Sequence, residues 1–201
     1  DLGDGSERTL LRLPGTQLPR DVSPDGSLLA FEDFSPSRRA QFLIWLHRMD
    51  GSDAPRPLSS APANQHSPRF SPDGRLLAFV SEESGQPEVY VMAVGEPGQK
   101  ARVSAAGGRL PRWRGDGREL YFLAADGLLT GVSVAGGRPP STGKPFPLFH
   151  APSANPLDFD VDASGERFLF SLPVDPRPGA VIAVALGWQA AIGGNESARS
   201  S

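Results

Sequence analysis

RFSPDGRLLAFVS at residues 69–81 has a near twin, DVSPDGSLLAFED at 21–33, placed 48 positions earlier. Two fainter copies follow, WRGDGRELYFLA from Trp113 and VDASGERFLFSL from Val161. Their turn glycines, Gly26, Gly74, Gly117 and Gly165, are spaced 48, 43 and 48 apart. That interval is near the roughly 40–45 residues of a repeat unit built from four short strands.

Each copy follows one physical plan. A short apolar segment meets a tight turn, SPDG in the two strongest copies. Pro24 and Pro72 pre-set φ for the turn, while Asp25, Asp73 and Asp116 can accept nearby backbone N–H groups. The glycine accepts positive φ. Strands are then predicted at Leu28–Phe31, Leu76–Val80, Glu119–Leu123 and Arg167–Leu172. Their runs are apolar at consecutive positions, as in strands buried on both faces. A second strand follows in each unit: FLIWLHRM at 42–49, EVYVMAV at 88–94, LLTGVSV at 128–134 and AVIAVAL at 180–186. Weaker outer strands are expected at 55–60, 100–104 and 145–149, where proline is tolerated because an edge strand has a free N–H side.

Composition agrees with a turn-rich β protein. Hydrophobic residues are 38% and charged residues 21% of the 201, enough apolar material for a core. The 23 glycines and 21 prolines are nearly twice the roughly 12% of average usage and cluster between the apolar runs. The net charge of −3 argues against a nucleic-acid or anionic-membrane surface, which needs clustered Lys and Arg. With no cysteine, disulfides and thiolate metal sites are excluded. The longest apolar run, AVIAVALGW at 180–188, is nine residues, whereas a spanning helix needs roughly 20. The chain begins at Asp1 without Met and is expected to be an excised or mature piece continuous with an upstream domain.

The predicted architecture is all-β, a partial or small β-propeller of about four blades, each of four antiparallel strands. The units are 14–60, 61–104, 105–150 and 151–192. Residues 7–13, RTLLRLP, read as an outer strand of a preceding or closing blade, and 193–201 as a disordered tail. Four blades would close if the first strand completed the last unit. Further upstream blades are the alternative, and the one expected here.

PRFSPDGRLLAFVSEESGQPEVYVMAVG at 68–95 resembles the TolB-type, WD40-like propeller repeat. Pro68, Phe70, Ser71, Pro72, Asp73, Gly74, Ala78, Phe79, Gly85, Val89, Tyr90, Val91 and Met92 fill its pattern, and Pro111, Trp113, Asp116 and Gly117 repeat its start. The fourth copy departs from it, with Ala163 and Ser164 in place of Pro and Asp. The end of the chain also resembles the C-terminal propeller of bacterial Ser/Thr protein kinases and winged-helix regulators. No kinase or DNA-binding part is present, so neither activity carries onto any residue here. The resemblance implies a platform in the bacterial envelope, in the periplasm with the cytoplasm as the alternative, or the sensor part of a larger protein.

Motifs that invite chemistry fail on their details. GGRPPSTGK at 136–144 has Arg138 where a phosphate loop needs its first glycine and Pro145 after the lysine, so it reads as a loop. DFDVDASG at 158–165 puts Asp158, Asp160 and Asp162 at alternate positions. As a calcium loop it lacks glycine at Ala163 and glutamate at Leu169. Its ordinary reading is that Asp162 starts a turn while the others face channel water. His47, His66 and His150 fall in different units, and no nucleophile elbow is present. Neither catalysis nor a cofactor is expected.

One constellation follows from the repeat. Two residues before each turn motif stand Asp21, Arg69, Arg112 and Asp160. On innermost strands facing the axis they would form a mixed-charge ring suited to a polar or zwitterionic ligand such as a peptide terminus. The plain alternative is a solvated, self-neutralising channel. Their neighbours Val22, Phe70, Trp113 and Val161 would then point into the inter-blade core, and Trp45, Trp113 and Trp188 read as core. The expected role is a non-catalytic platform for a protein or peptide. The alternative is an accessory propeller gating a hydrolase or peptidase domain.

Overall fold

A computed structural model describes residues 9–35, 41–60, 63–96, 98–153, 155–173 and 183–186. The described residues hold sixteen strands and no helix, so none of them forms a helix able to cross a membrane. The first sheet is β1 (Thr16–Val22), β2 (Leu28–Ser35), β3 (Gln41–Arg48) and β4 (Arg56–Pro57), in that order. The second is β5 (Gln65–Phe70), β6 (Leu76–Ser81), β7 (Glu88–Ala93) and β8 (Lys100–Arg102). In the third, β9 (Gly108–Trp113), β10 (Glu119–Ala124) and β11 (Leu128–Ala135) run in order. Both β12 (Ser141–Thr142) and β13 (Phe146–His150) pair with β11. The fourth is β14 (Asp158–Val161), β15 (Arg167–Ser171) and β16 (Ala183–Leu186). All pairings are antiparallel meanders.

The first strands of successive sheets, β1, β5, β9 and β14, are neighbours, and apolar faces meet between each pair of sheets. This is the radial arrangement of propeller blades. Period-2 alternation explains the continuous apolar runs. In β6, Leu76, Ala78 and Val80 face the third sheet, while Leu77 and Phe79 face the first. Strand β7 divides likewise, with Val89 and Val91 on one side and Tyr90 and Met92 on the other. Burying each large side chain contributes about 1.5–3 kcal/mol. Between the third and fourth sheets the core is aromatic. Phe168 meets Tyr121 edge-on at 5.3 Å, and Phe159 stacks on Phe170 at 5.6 Å.

The repeated turn locks each first strand to the second. Gly74 N–H donates to Ser71 O at 2.8 Å, Arg75 N–H to Asp73 Oδ1 at 3.0 Å, and Leu76 N–H to Ser71 Oγ at 2.9 Å. Ser23, Asp25, Gly26 and Leu28 make the same set. Gly117 closes its turn on Arg114 O, and Asp116 accepts from Arg118 N–H at 3.0 Å. In the fourth copy the aspartate moves to the first position. Asp162 accepts from Gly165 N–H at 3.0 Å and Arg167 N–H at 3.2 Å, so the divergent sequence keeps the same turn. Adjacent turns also touch. A β-carbon on Gly74 would meet Pro24 at 3.4 Å, and one on Gly117 would meet Pro72 at 3.4 Å.

Four expectations change. Residues 9–13 form no strand, so the segment 7–13 is not an outer strand over its described part. The third sheet has five strands, because β13 covers only Leu128–Gly131 of the eight-residue β11 and leaves its end to pair with β12. Val22 is 44% exposed, whereas its counterparts Phe70 and Trp113 are buried. Phe70 and Trp113 point toward the preceding sheet, and Val22 belongs to the first one. Trp45 is half-buried, stacked on Phe31 at 6.5 Å. Trp188 and residues 193–201 lie outside the described residues.

Candidate functional site

The four ring residues occupy equivalent places. Asp21 pairs with Ala30, Arg69 with Ala78, Arg112 with Tyr121 and Asp160 with Leu169, each across its first two strands. All four line one depression of about 470 Å³ where the inner strands converge. Arg20 and Asp158 line it too. Asp158 was read from the sequence as facing the channel, whereas Arg20 escaped that reading, although a Pro-Arg pair recurs at 19–20, 68–69 and 111–112. The first unit carries one more residue between this pair and its turn, and β1 absorbs it in a register shift between Pro19 and Asp21. Comparable shifts fall in β5 and β9, where Ser67 and Leu110 have φ of 57° and 55°.

These irregularities turn main-chain groups toward neighbouring blades. Asp21 spends its carboxylate on backbone, accepting Phe70 N–H at 2.8 Å and Val22 N–H at 3.0 Å. Glu32 is buried, and it accepts Ser67 N–H at 2.7 Å and Arg20 Nη2 at 2.6 Å. Trp113 Nε1 donates to Arg69 O at 3.0 Å. Blade-to-blade cohesion therefore includes a polar seam around the depression.

Arg112 departs from the picture of a water-facing ring. Its side chain is 8% exposed. It donates to Pro111 O at 2.7 Å, forms a short ion pair with Asp158, lies 3.9 Å from Asp160, and covers the Phe159 ring at 5.6 Å. Burial, then the like charge of Arg69, pushes its pKa below the usual guanidinium range, and Asp158 and Asp160 oppose the shift. Asp160 stands out at 78% exposure. Arg69 donates Nη1 to Arg20 O at 2.7 Å and to Pro68 O at 3.3 Å, and no carboxylate among the described residues pairs with it. The depression thus carries both signs of charge. Arg20, Asp21 and Arg69 reach it from the first two sheets and Asp158 and Asp160 from the fourth, with Arg112 of the third sheet buried among them.

The other motifs resolve locally. Asp162 starts its turn, as read from the sequence, and Asp158 and Asp160 line the depression at 51% and 78% exposure, with Asp158 also paired to Arg112. Among the described residues no group of His, Asp or Glu is arranged to hold a metal ion. His47, His66 and His150 lie on strands of three different sheets. The segment 136–140 is a loop, with Ser141–Thr142 adding the short β12.

Known proteins bear out the architecture. TolB from Acinetobacter baumannii superposes with a TM-score of 0.65 at 16% identity, covering 93% of this chain and 45% of that one. A puromycin-hydrolyzing peptidase from Mycobacterium tuberculosis gives 0.62 at 17% identity, covering 92% and 31%. Tricorn protease homolog 1 of Streptomyces coelicolor is 37% identical over 101 residues, which are 48% of this chain and 8% of that protein. The chain therefore spans less than half the length of each of these proteins. The sequence profile described as TolB beta propeller domain matches residues 1–135. With four radial antiparallel sheets, a turn repeated in every unit and that match, the chain belongs to the TolB beta propeller domain family.

Proposed function

We propose that this chain is a non-catalytic platform that binds a protein or peptide partner, as the recognition part of a larger bacterial protein. The observation that carries this reading is the mixed-charge depression. Charged residues from four successive blades converge there on rigid strands, with about 470 Å³ of space. Concave sites of a few hundred Å³ with a few placed polar groups suit short ligand segments. No nucleophile–base arrangement accompanies them among the described residues. Affinity selection from a synthetic peptide library against the full chain tests the reading. Enriched peptides whose binding weakens in the double variant Arg20→Ala, Asp160→Ala support it. No enrichment, or binding untouched by that variant, overturns it.

The likeness to the Streptomyces coelicolor tricorn protease homolog and to the Mycobacterium tuberculosis peptidase favours a second reading. Here the propeller serves a peptidase domain, admitting or orienting its substrates. Peptide hydrolysis by the full-length protein that contains this chain, altered in rate by channel variants, would support it. Full-length protein without hydrolytic activity would remove it.

A further inference from the structure

We infer that the depression anchors its ligand by a carboxylate, held by Arg69. The inference rests on the peptide-platform reading and names the group recognised. Of the three arginines there, Arg20 is paired with the buried Glu32 at 2.6 Å and Arg112 with Asp158. Among the described residues Arg69 is held only by two backbone carbonyls, both through Nη1. Those bonds fix the guanidinium and neutralise none of its charge. Nη2 and Nε keep their donors for an incoming acceptor, the fork geometry that matches a carboxylate. Arg69 also lies close enough to Arg112 to raise the cost of charge there. Two neighbouring guanidiniums with one lacking a counter-ion make an anion the complementary occupant.

Asp21 does not fill this role, because both its oxygens accept backbone N–H groups of Val22 and Phe70. On the fourth sheet, Asp160 is 78% exposed. It would face an N–H or cationic group of the same ligand, and repel a ligand bound in reverse. The anchoring carboxylate is a peptide C-terminus or an Asp or Glu side chain, the same chemistry from two sources.

Three probes separate these sources: acetyl-Ala-Ala-Ala with a free carboxylate, its C-terminal amide, and acetyl-Ala-Asp-Ala-amide. Each is titrated into the full chain while the indole N–H resonance of Trp113 is followed. Trp113 lines the depression and bonds Arg69 O, and its resonance is assigned by its loss in Trp113→Phe. The free acid is expected to shift the resonance and its amide to leave it in place. A shift by the Asp-containing amide as well admits side-chain carboxylates. Arg69→Ala is expected to weaken binding about tenfold, the size of one lost charge-assisted hydrogen bond. Arg69→Lys, which keeps the charge and more of the packing, is expected to retain part of the affinity. It also provides the readout if the alanine variant does not fold. Acid and amide binding alike, or binding unchanged in both variants, overturns the anchor and leaves the peptide platform standing. No shift with any probe also overturns it, while library selection judges the platform separately.

Discussion

Gly26, Gly74, Gly117 and Gly165 have φ between 70° and 80°, a region costing other residues about 1–2 kcal/mol. Gly26→Ala is expected to lose about that much, since nothing lies within 4 Å of a β-carbon there. Gly165→Ala is expected to lose more. Its β-carbon would strike the Tyr121 hydroxyl and come within 2.9 Å of Arg114 Cδ. Urea denaturation of the two variants side by side checks the order, and equal losses would refute it. The glycines were legible because a turn of this kind names its residues. The contact with Tyr121 was not, because it joins positions 44 apart through blade packing. Glu88 was equally hidden. It read as the start of a strand, yet it is fully buried and accepts Gly107 N–H at 3.1 Å and Gln86 Nε2 at 2.6 Å. Glu88→Ala should cost about 1–3 kcal/mol through donors left unpartnered, measured by the same denaturation.

At the scale of the element, the turns carry a titration signature. Hydrogen bonds from Ser23, then Ser27, lower Asp25 from 3.8 to about 2, and the Arg114 guanidinium lowers Asp116 to about 2. Ser71 lowers Asp73, and Arg167 holds Asp162 well below the carboxylate range. Depressed folded-state values mean that the stabilisation is fully present above pH 4 and is lost as pH falls toward 2. Asp25→Asn and Asp116→Asn should therefore be less stable than the parent at pH 7, and their stability should fall less between pH 4 and 2. Thermal melts across that range give the comparison. A parallel fall in parent and variants would exclude these turns as its cause. The apolar runs Leu76–Val80 of β6 and Val89–Ala93 of β7 were readable directly, since burial on both faces calls for apolar residues at consecutive positions. The irregular first strands were not. In β5, Ser67 and Phe70 give their N–H groups to Glu32 and Asp21 of the preceding blade, which no local pattern reveals.

The whole molecule makes unequal environments out of equal repeat positions. Val22 and Phe70 stand at the same place in their units, yet one is 44% and the other 6% exposed. Phe70→Ala should cost about 3–5 kcal/mol, while Val22→Ala should stay within about 0.5–1 kcal/mol. Equilibrium unfolding of both variants measures the contrast, and similar losses would mean that the first sheet's outer face is packed like the others. Sequence periodicity announced the number of units and the position of the ring. It did not announce that one ring arginine would be buried against Phe159 and another left without a counter-ion among the described residues, because charge pairing depends on how four sheets converge.

Prolines 24 and 72 each lie against the next unit's turn glycine, so the turns prop one another like treads of a spiral stair. A residue inserted in one tread would displace two sheets at once. Length changes during evolution should therefore gather in peripheral connections such as 136–140, while whole modules can be copied or dropped, since every copy brings its own tread.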